Sequence, residues 1–271
     1  MIISKSRQKY MILRSIILVM TLSGVVKAEF TTDHGKSDEA RPKPTSFFSV
    51  GAGAIMTRNP YKGVGIESRG IPMILYRTER LSLYGPMMSY SLFEDDDWEI
   101  KGLAKVRFEG YEEDDSRFLQ GMDDRKWTLE MGGSLSKNFL NGKITADLTA
   151  DILNEHQGYE LGFYYSYDFR RFLENPALTL TPNVGLGYRS SQLNDYYYGV
   201  RASEAIVSRA EYHVGDSTGL IAGLRMNYFH SENLSLMALV SFEWLGNEIR
   251  NSPIVDEDHI ESFLIGIMYS F

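Results

Sequence analysis

His259 to Phe271 reads HIESFLIGIMYSF. Taken by twos, Phe263, Ile265, Ile267, Tyr269 and Phe271 fall on one side, and Ser262, Leu264, Gly266, Met268 and Ser270 on the other. This is the period of a strand, not of a helix. A strand whose whole outer face is large and apolar needs either a second sheet or lipid against it.

The same period recurs upstream. In Gly142–Leu153, Ile144, Ala146, Leu148, Ala150 and Ile152 alternate with Lys143, Thr145, Asp147, Thr149 and Asp151. Leu234–Trp244 sets Leu236, Ala238, Val240 and Phe242 against Ser235, Met237, Ser241 and Glu243, and Tyr159–Phe169 repeats the pattern with aromatics outside and Glu160, Tyr164, Ser166 and Asp168 inside. Weaker versions run Trp98–Gly110, Trp127–Leu135, Leu178–Tyr188 and Leu220–Tyr228, while Phe47–Met56, Ile71–Tyr76 and Leu81–Ser89 are apolar but alternate poorly. A soluble sandwich also alternates, but a chain of this length would then carry strands buried on both faces, and none reads that way. Aromatics crowd the segment ends at Phe47, Trp98, Trp127, Tyr188, Trp244 and Phe271, where interfacial girdles would lie. The expected fold is all-β, a transmembrane antiparallel up-and-down barrel over residues 46–271.

Eleven segments are legible; single-chain barrels usually have an even number, so about 12 strands are expected, with the missing one in 57–97 or 203–218. Asn138–Gly142, Arg171–Pro176 and His230–Asn233 have the chemistry of short periplasmic turns. The longer Tyr111–Arg125, Ser190–Ala205 and Gly246–His259 then become extracellular loops.

The start of the chain assigns the compartment. Lys5, Arg7, Lys9 and Arg14 precede the uncharged Ser15–Val26, and Val26-Lys27-Ala28 offers small residues at the two positions a signal peptidase inspects, so residues 1–28 read as a secretory signal. Residues 29–45, polar and Pro-containing, suit a flexible periplasmic lead-in. Loss of residues 1–28 removes five of the 28 basic residues and none of the 36 acidic ones, leaving a formal charge of −13. Nucleic acid is therefore not an expected partner. With no cysteine there is neither a disulfide nor a thiol metal site. No later stretch has the roughly 20 apolar residues of a membrane-spanning helix, so spans must be strands.

Chemistry-bearing motifs are scarce. There is no Gly-rich phosphate loop and no HExxH, and His34, His156, His213, His230 and His259 all fall in a predicted tail, turn or loop. Neither an enzyme nor a cofactor is expected. The acidic runs Glu94–Asp97, Glu112–Asp115, Asp123-Asp124 and Asp256–Asp258 are candidates for divalent-cation bridging to lipopolysaccharide, or simply solvated loops. Parity assigns Glu99, Lys101, Lys105, Arg107, Glu109, Asp147, Asp151, Asp168, Arg170, Arg225 and Glu243 to the lumen; paired across strands they make a plug, unpaired they line a pore.

Asn194–Val200 (NDYYYGV), Gly121-Met122 with Arg125 before a strand, Asn251–Val255 (NSPIV), and the turn Asn59-Pro60-Tyr61-Lys62-Gly63 together resemble the MipA/OmpV family, spanning nearly the whole mature chain in order. The ending, with Tyr269 two residues before Phe271, is similar to the C-terminal signature that outer-membrane barrels present to their insertion machinery. The resemblance implies an outer-membrane barrel bedded in lipid and lipopolysaccharide. For the namesake of the family it implies a scaffold joining a lytic murein transglycosylase to a bifunctional penicillin-binding protein; other members are described as adhesins. A small porin-like channel is the competing expectation. Tyr196, Tyr197 and Tyr198 are candidates for a partner contact, since tyrosine is favoured at interfaces, or for loop packing.

Overall fold

The computed structural model describes residues 46–170 and 174–271; the expected signal (1–28) and lead-in (29–45), and residues 171–173 of the Arg171–Pro176 turn, lie outside the described residues. The chain forms a closed antiparallel barrel of twelve strands: β1 (Ser46–Arg58), β2 (Ile66–Thr78), β3 (Leu81–Tyr84), β4 (Met87–Glu94), β5 (Trp98–Arg107), β6 (Thr128–Phe139), β7 (Gly142–Asp151), β8 (Tyr159–Ser166 with Phe169–Arg170), β9 (Leu178–Arg189), β10 (Ser217–Phe229), β11 (Leu234–Trp244) and β12 (His259–Ser270). Each pairs with its neighbours in chain order, and β1 meets β12 from Ser49 opposite Ser270 to Arg58 opposite Glu261. Closure leaves no sheet edge at that seam, as a strand structure in lipid requires.

β8 is one strand with a break of chemical origin. Ser166 faces Asn183 and Phe169 faces Leu180 in an unchanged register, and between them Tyr167 donates its N–H to the carbonyl of Pro182 at 3.2 Å. Pro182 has no N–H to return.

The strand missing from the sequence reading lies within Leu81–Ser89. That segment is a hairpin, β3 and β4, turned by Gly85-Pro86 with Gly85 at φ +52°. Ser91 faces Lys101 while Phe93 faces Ile100, so a bulge puts Leu92 and Phe93 both outside and explains the poor alternation there.

Elsewhere the faces fall as the alternation requires. Leu148, Phe163, Ile265, Ile267 and Tyr269 are exposed to the surroundings, and Thr145, Asp147, Thr149, Leu264 and Met268 are buried in the lumen. Trp98, Trp127 and Trp244 are exposed at strand ends. One girdle position differs by a residue: Phe47 has inward parity, and Phe48 is the outer ring, stacked on Phe271 with centroids 5.8 Å apart. Both Ser46 and Phe271 lie at the end of the barrel that carries the short turns.

Candidate functional site

The lumen is divided lengthwise. Inward positions of β5 to β9 carry most of the charge, whereas those of β1, β2, β11 and β12, apart from Glu67, Arg69 and Arg77 on β2 and Glu243 on β11, carry Ile55, Ile71, Met73, Met237, Leu239, Leu264 and Met268, with Leu75, Tyr84 and Met87 packed against them. Tyr84 of β3 reaches over to β11 and donates its hydroxyl to Met237 Sδ at 2.9 Å.

On the charged side three cations and four carboxylates form one cluster. Lys105 bridges Glu130 (2.8 Å) and Glu160 (3.2 Å); Arg107 holds Glu109 and Glu130, each at 2.6 Å, and also Glu160; Arg189 spans Glu109 (2.8 Å) and Glu243 (2.6 Å). These contacts are chords across the lumen from β5 to β11. His156 completes the cluster: its Nδ1 accepts the Gly158 N–H at 3.0 Å, so its Nε2 carries the proton given to Glu130 at 3.2 Å. Thr149 donates to the same carboxylate at 3.1 Å. Beside them the fully buried Tyr164 ring lies over Gly162 and Gly185, where a Cβ would come within 2.4 Å of it.

Above this cluster the loops fold inward as a cap. The loop after β9 carries a short helix, α1 (Ser191–Tyr198), and the loop after β11 carries a single turn, α2 (Asn247–Arg250). Tyr61, Tyr111, Leu119, Met122, Leu193, Tyr197, Tyr198, Val200, Ile249 and Ile254 from four loops make one apolar core. Tyr61 stacks on Tyr198 at 5.5 Å and meets Tyr111 edge-on at 4.8 Å. Arg125 ties two loops together: Nη2 reaches Glu204 at 2.9 Å and Nη1 the Asp123 carbonyl at 2.7 Å. Burial pushes the Glu204 carboxyl up, but the Arg125 guanidinium and the backbone N–H groups of Arg201 and Asp123 more than reverse this, holding it below the usual carboxylate range. Arg209 braces the same junction by donating to the carbonyls of Phe118 (2.6 Å) and Glu204 (2.8 Å). Together the cap and the ion cluster close the loop end of the lumen.

The family model described as MltA-interacting protein MipA matches residues 50–271. The chain belongs to the MipA family. It is 27% identical to the MltA-interacting protein of Escherichia coli (strain K12) over 260 residues, 94% of this chain and 96% of that one. It is 30% identical to the outer membrane protein Omp26La of Vibrio anguillarum over 161 residues, 59% of this chain and 60% of that one. Among solved structures it is similar to an outer membrane channel from Pseudomonas putida F1, at 12% identity and a TM-score of 0.45 over 87% of this chain and 98% of that one. The protein resides in the outer membrane, like Omp26La and other relatives named as outer membrane proteins.

In this MipA-family barrel the expected lumen residues do not all share one environment. Lys105, Arg107 and Glu243 join the ion cluster, with Glu109; Glu99 pairs with Lys101 (2.5 Å) and Lys143 (3.1 Å) lower down, and Asp147 is buried on the inner face of β7. Arg225 and Asp168 approach to 3.8 Å, both bonded to Thr181. Asp151, opposite Glu130 on the inner face at the loop end of β7, shapes the β7–β8 loop, accepting the N–H groups of Leu153, His156 and Gln157 and the Thr128 hydroxyl. Arg170 sits exposed at the turn-side rim.

Tyr197 and Tyr198 are fully buried in the cap and present no surface to a partner, while Tyr196 is half-buried, accepting the Lys126 N–H at 2.9 Å. The packing reading of the tyrosine run is the one the geometry supports. Tyr269 and Phe271 lie outside, edge-on at 5.1 Å. The acidic run Glu94–Asp97 lies at the turn end, remote from the loops that would meet lipopolysaccharide; Asp95 is occupied in its own turn, accepting the N–H groups of Asp97 and Trp98. Among the described residues no three His, Asp or Glu side chains converge as a metal site.

Glu130, Arg189 and His156 also belong to the cluster, beside Glu160 with its inward parity on Tyr159–Phe169. Glu130, Glu160 and Arg189 have inward strand parity, a signal that was available. His156 reads as a solvated loop residue and only the fold of the β7–β8 loop buries it.

Proposed function

We propose that this protein is a structural outer-membrane barrel that holds murein-processing enzymes near the membrane and does not conduct solutes. The observation that carries the reading is the closed lumen: an ion cluster spanning β5 to β11 beneath an apolar cap of four loops. A buried set of paired charges with its hydrogen bonds made is a rigid block, not a hydrated path for ions. The name of the Escherichia coli relative, MltA-interacting protein, suggests a lytic murein transglycosylase as the first partner, and the family resemblance adds a penicillin-binding protein. They would meet the turn-side rim and the lead-in 29–45, since short turns face the periplasm in such barrels.

The test has two arms. Purified protein in planar bilayers is expected to show no steady conductance, and tagged protein in intact envelopes to capture a lytic transglycosylase. Steady conductance that changes with Asp147→Lys, with no murein enzyme captured, would instead establish a channel.

A further inference from the structure

Among the described residues the ring of strands closes, but above the β3–β4 hairpin one strand edge is left uncovered. β2 runs from Ile66 to Thr78 and is paired with β1 along its whole length, yet on its other side it meets β3 only from Leu75 to Arg77. The β3–β4 hairpin turns back at Gly85-Pro86, anchored by the Gly85 N–H on the Ile74 carbonyl (2.9 Å) and the Val106 N–H on the Pro86 carbonyl (3.1 Å). Among the described residues no strand covers β2 from Ile66 to Met73, eight residues or about 26 Å of edge at ~3.3 Å per residue. Above this gap the loops close: Ser116 donates to the Lys62 carbonyl at 2.7 Å, and the Lys62 ammonium lies over the Phe118 ring. The opening is therefore sideways, towards the lipid that surrounds the barrel, and not upwards.

Next to the hairpin its inner side is the apolar sector of the lumen. On the inner face of the uncovered edge Glu67 and Arg69, paired at 3.3 Å, lie towards the loops and the buried Ile71 and Met73 towards the hairpin, while Ile66 and Ile74 are exposed on its outer face. Behind Met73 the floor is glycine: a Cβ on Gly266 would come within 2.3 Å of Met73 Sδ, and one on Gly53 within 2.9 Å. The thioether thus lies in a hollow that only glycines leave open. Methionine is the apolar side chain that repacks most readily, and Met73, Met87, Met237 and Met268 line this one sector.

We propose that the gap above the β3–β4 hairpin is a lateral port, and that one acyl chain of a lipid in the surrounding leaflet enters through it into the glycine-floored apolar sector of the lumen, displacing Met73. The occupant follows from continuity. The port opens on the lipid-facing surface, the loop end of the lumen is closed by the cap, and the other half of the lumen is charged and would reject an alkyl chain.

The experiment uses the full chain reconstituted in phosphatidylcholine vesicles that contain a phosphatidylcholine with a diazirine midway along one acyl chain. After irradiation, labelled residues are mapped by mass spectrometry. Label is expected on inward residues of the sector, Met73, Leu264 and Met268, as well as on outward Ile265 and Ile267; label confined to outward residues overturns the proposal. Gly266→Val fills the hollow and should reduce the inward label to background while leaving the outward label unchanged, and an undiminished inward label overturns the assigned path. Should Gly266→Val fail to give the heat-shifted band of a folded barrel, Met73→Ala is read instead: it empties the hollow, so the label on Leu264 and Met268 should rise, and no rise overturns the proposal.

Discussion

Tyr198 of α1 donates its hydroxyl to the Glu109 carboxylate at the head of β5, and this bond joins the apolar cap to the ion cluster beneath it. The same carboxylate is held by Arg107 and Arg189, so the cap rests on a charge that is already compensated. Tyr198→Phe should therefore leave the barrel folded while costing about 1–3 kcal/mol at a buried acceptor. The loss should appear as faster amide exchange through Leu193–Val200, with β6 and β7 unaffected. Unchanged protection in α1 would mean that the cap is held by its apolar contacts alone.

The assignment of faces can be tested on β7. Leu148 is exposed on the outer wall and Thr145 is buried in the lumen beside Ser136, their hydroxyls 3.0 Å apart. Leu148→Arg places a charge in lipid and should destabilise the barrel by about 2–4 kcal/mol, with Thr145→Arg milder because the lumen is polar there. Urea unfolding in detergent micelles reads the difference, and equal losses at both positions would contradict the assigned faces.

Phe271 stacks on Phe48 across the β1–β12 seam but remains 75% exposed. Its ring contributes at most about 1.5–3 kcal/mol, too little to unfold a closed barrel. Deleting it should lower the amount of folded protein inserted in cells far more than the stability of what does insert. Normal insertion of the shortened chain would refute a role in assembly.

The loop latch has a defined pH dependence. The Glu204 carboxyl titrates below its usual value in the folded cap, so its bond to Arg125 contributes stability that is present above the ordinary glutamate range and is lost as pH falls through the lower, folded value. Protease cleavage in the loops should accelerate on acidification across that interval. Glu204→Gln should be cleaved faster at neutral pH and lose the acid step; an unaltered acid step would assign it to another group.

The sequence by itself determined the architecture, because a barrel in lipid imposes a period of two on every strand and this survives in Ile144–Ile152, Leu236–Phe242 and Phe263–Phe271 without any knowledge of neighbours. Parity along a strand is a local property, so the inward position of a mid-strand charge such as Lys105 or Asp147 is legible before its partners are known. The strand hidden in Leu81–Ser89 escaped because four residues are too few to show a period and the bulge at Leu92-Phe93 reverses parity next to them. What those inward charges do was decided by the tertiary structure alone. Arg189 meets Glu109 from 80 positions away and Tyr198 reaches it from 89, and such contacts depend on strand register around the whole ring. The burial of the tyrosine run and the shortness of the β3–β4 hairpin relative to its neighbours have the same origin: a loop becomes a cap, or a short strand leaves a gap, only when the twelve strands are closed into a barrel.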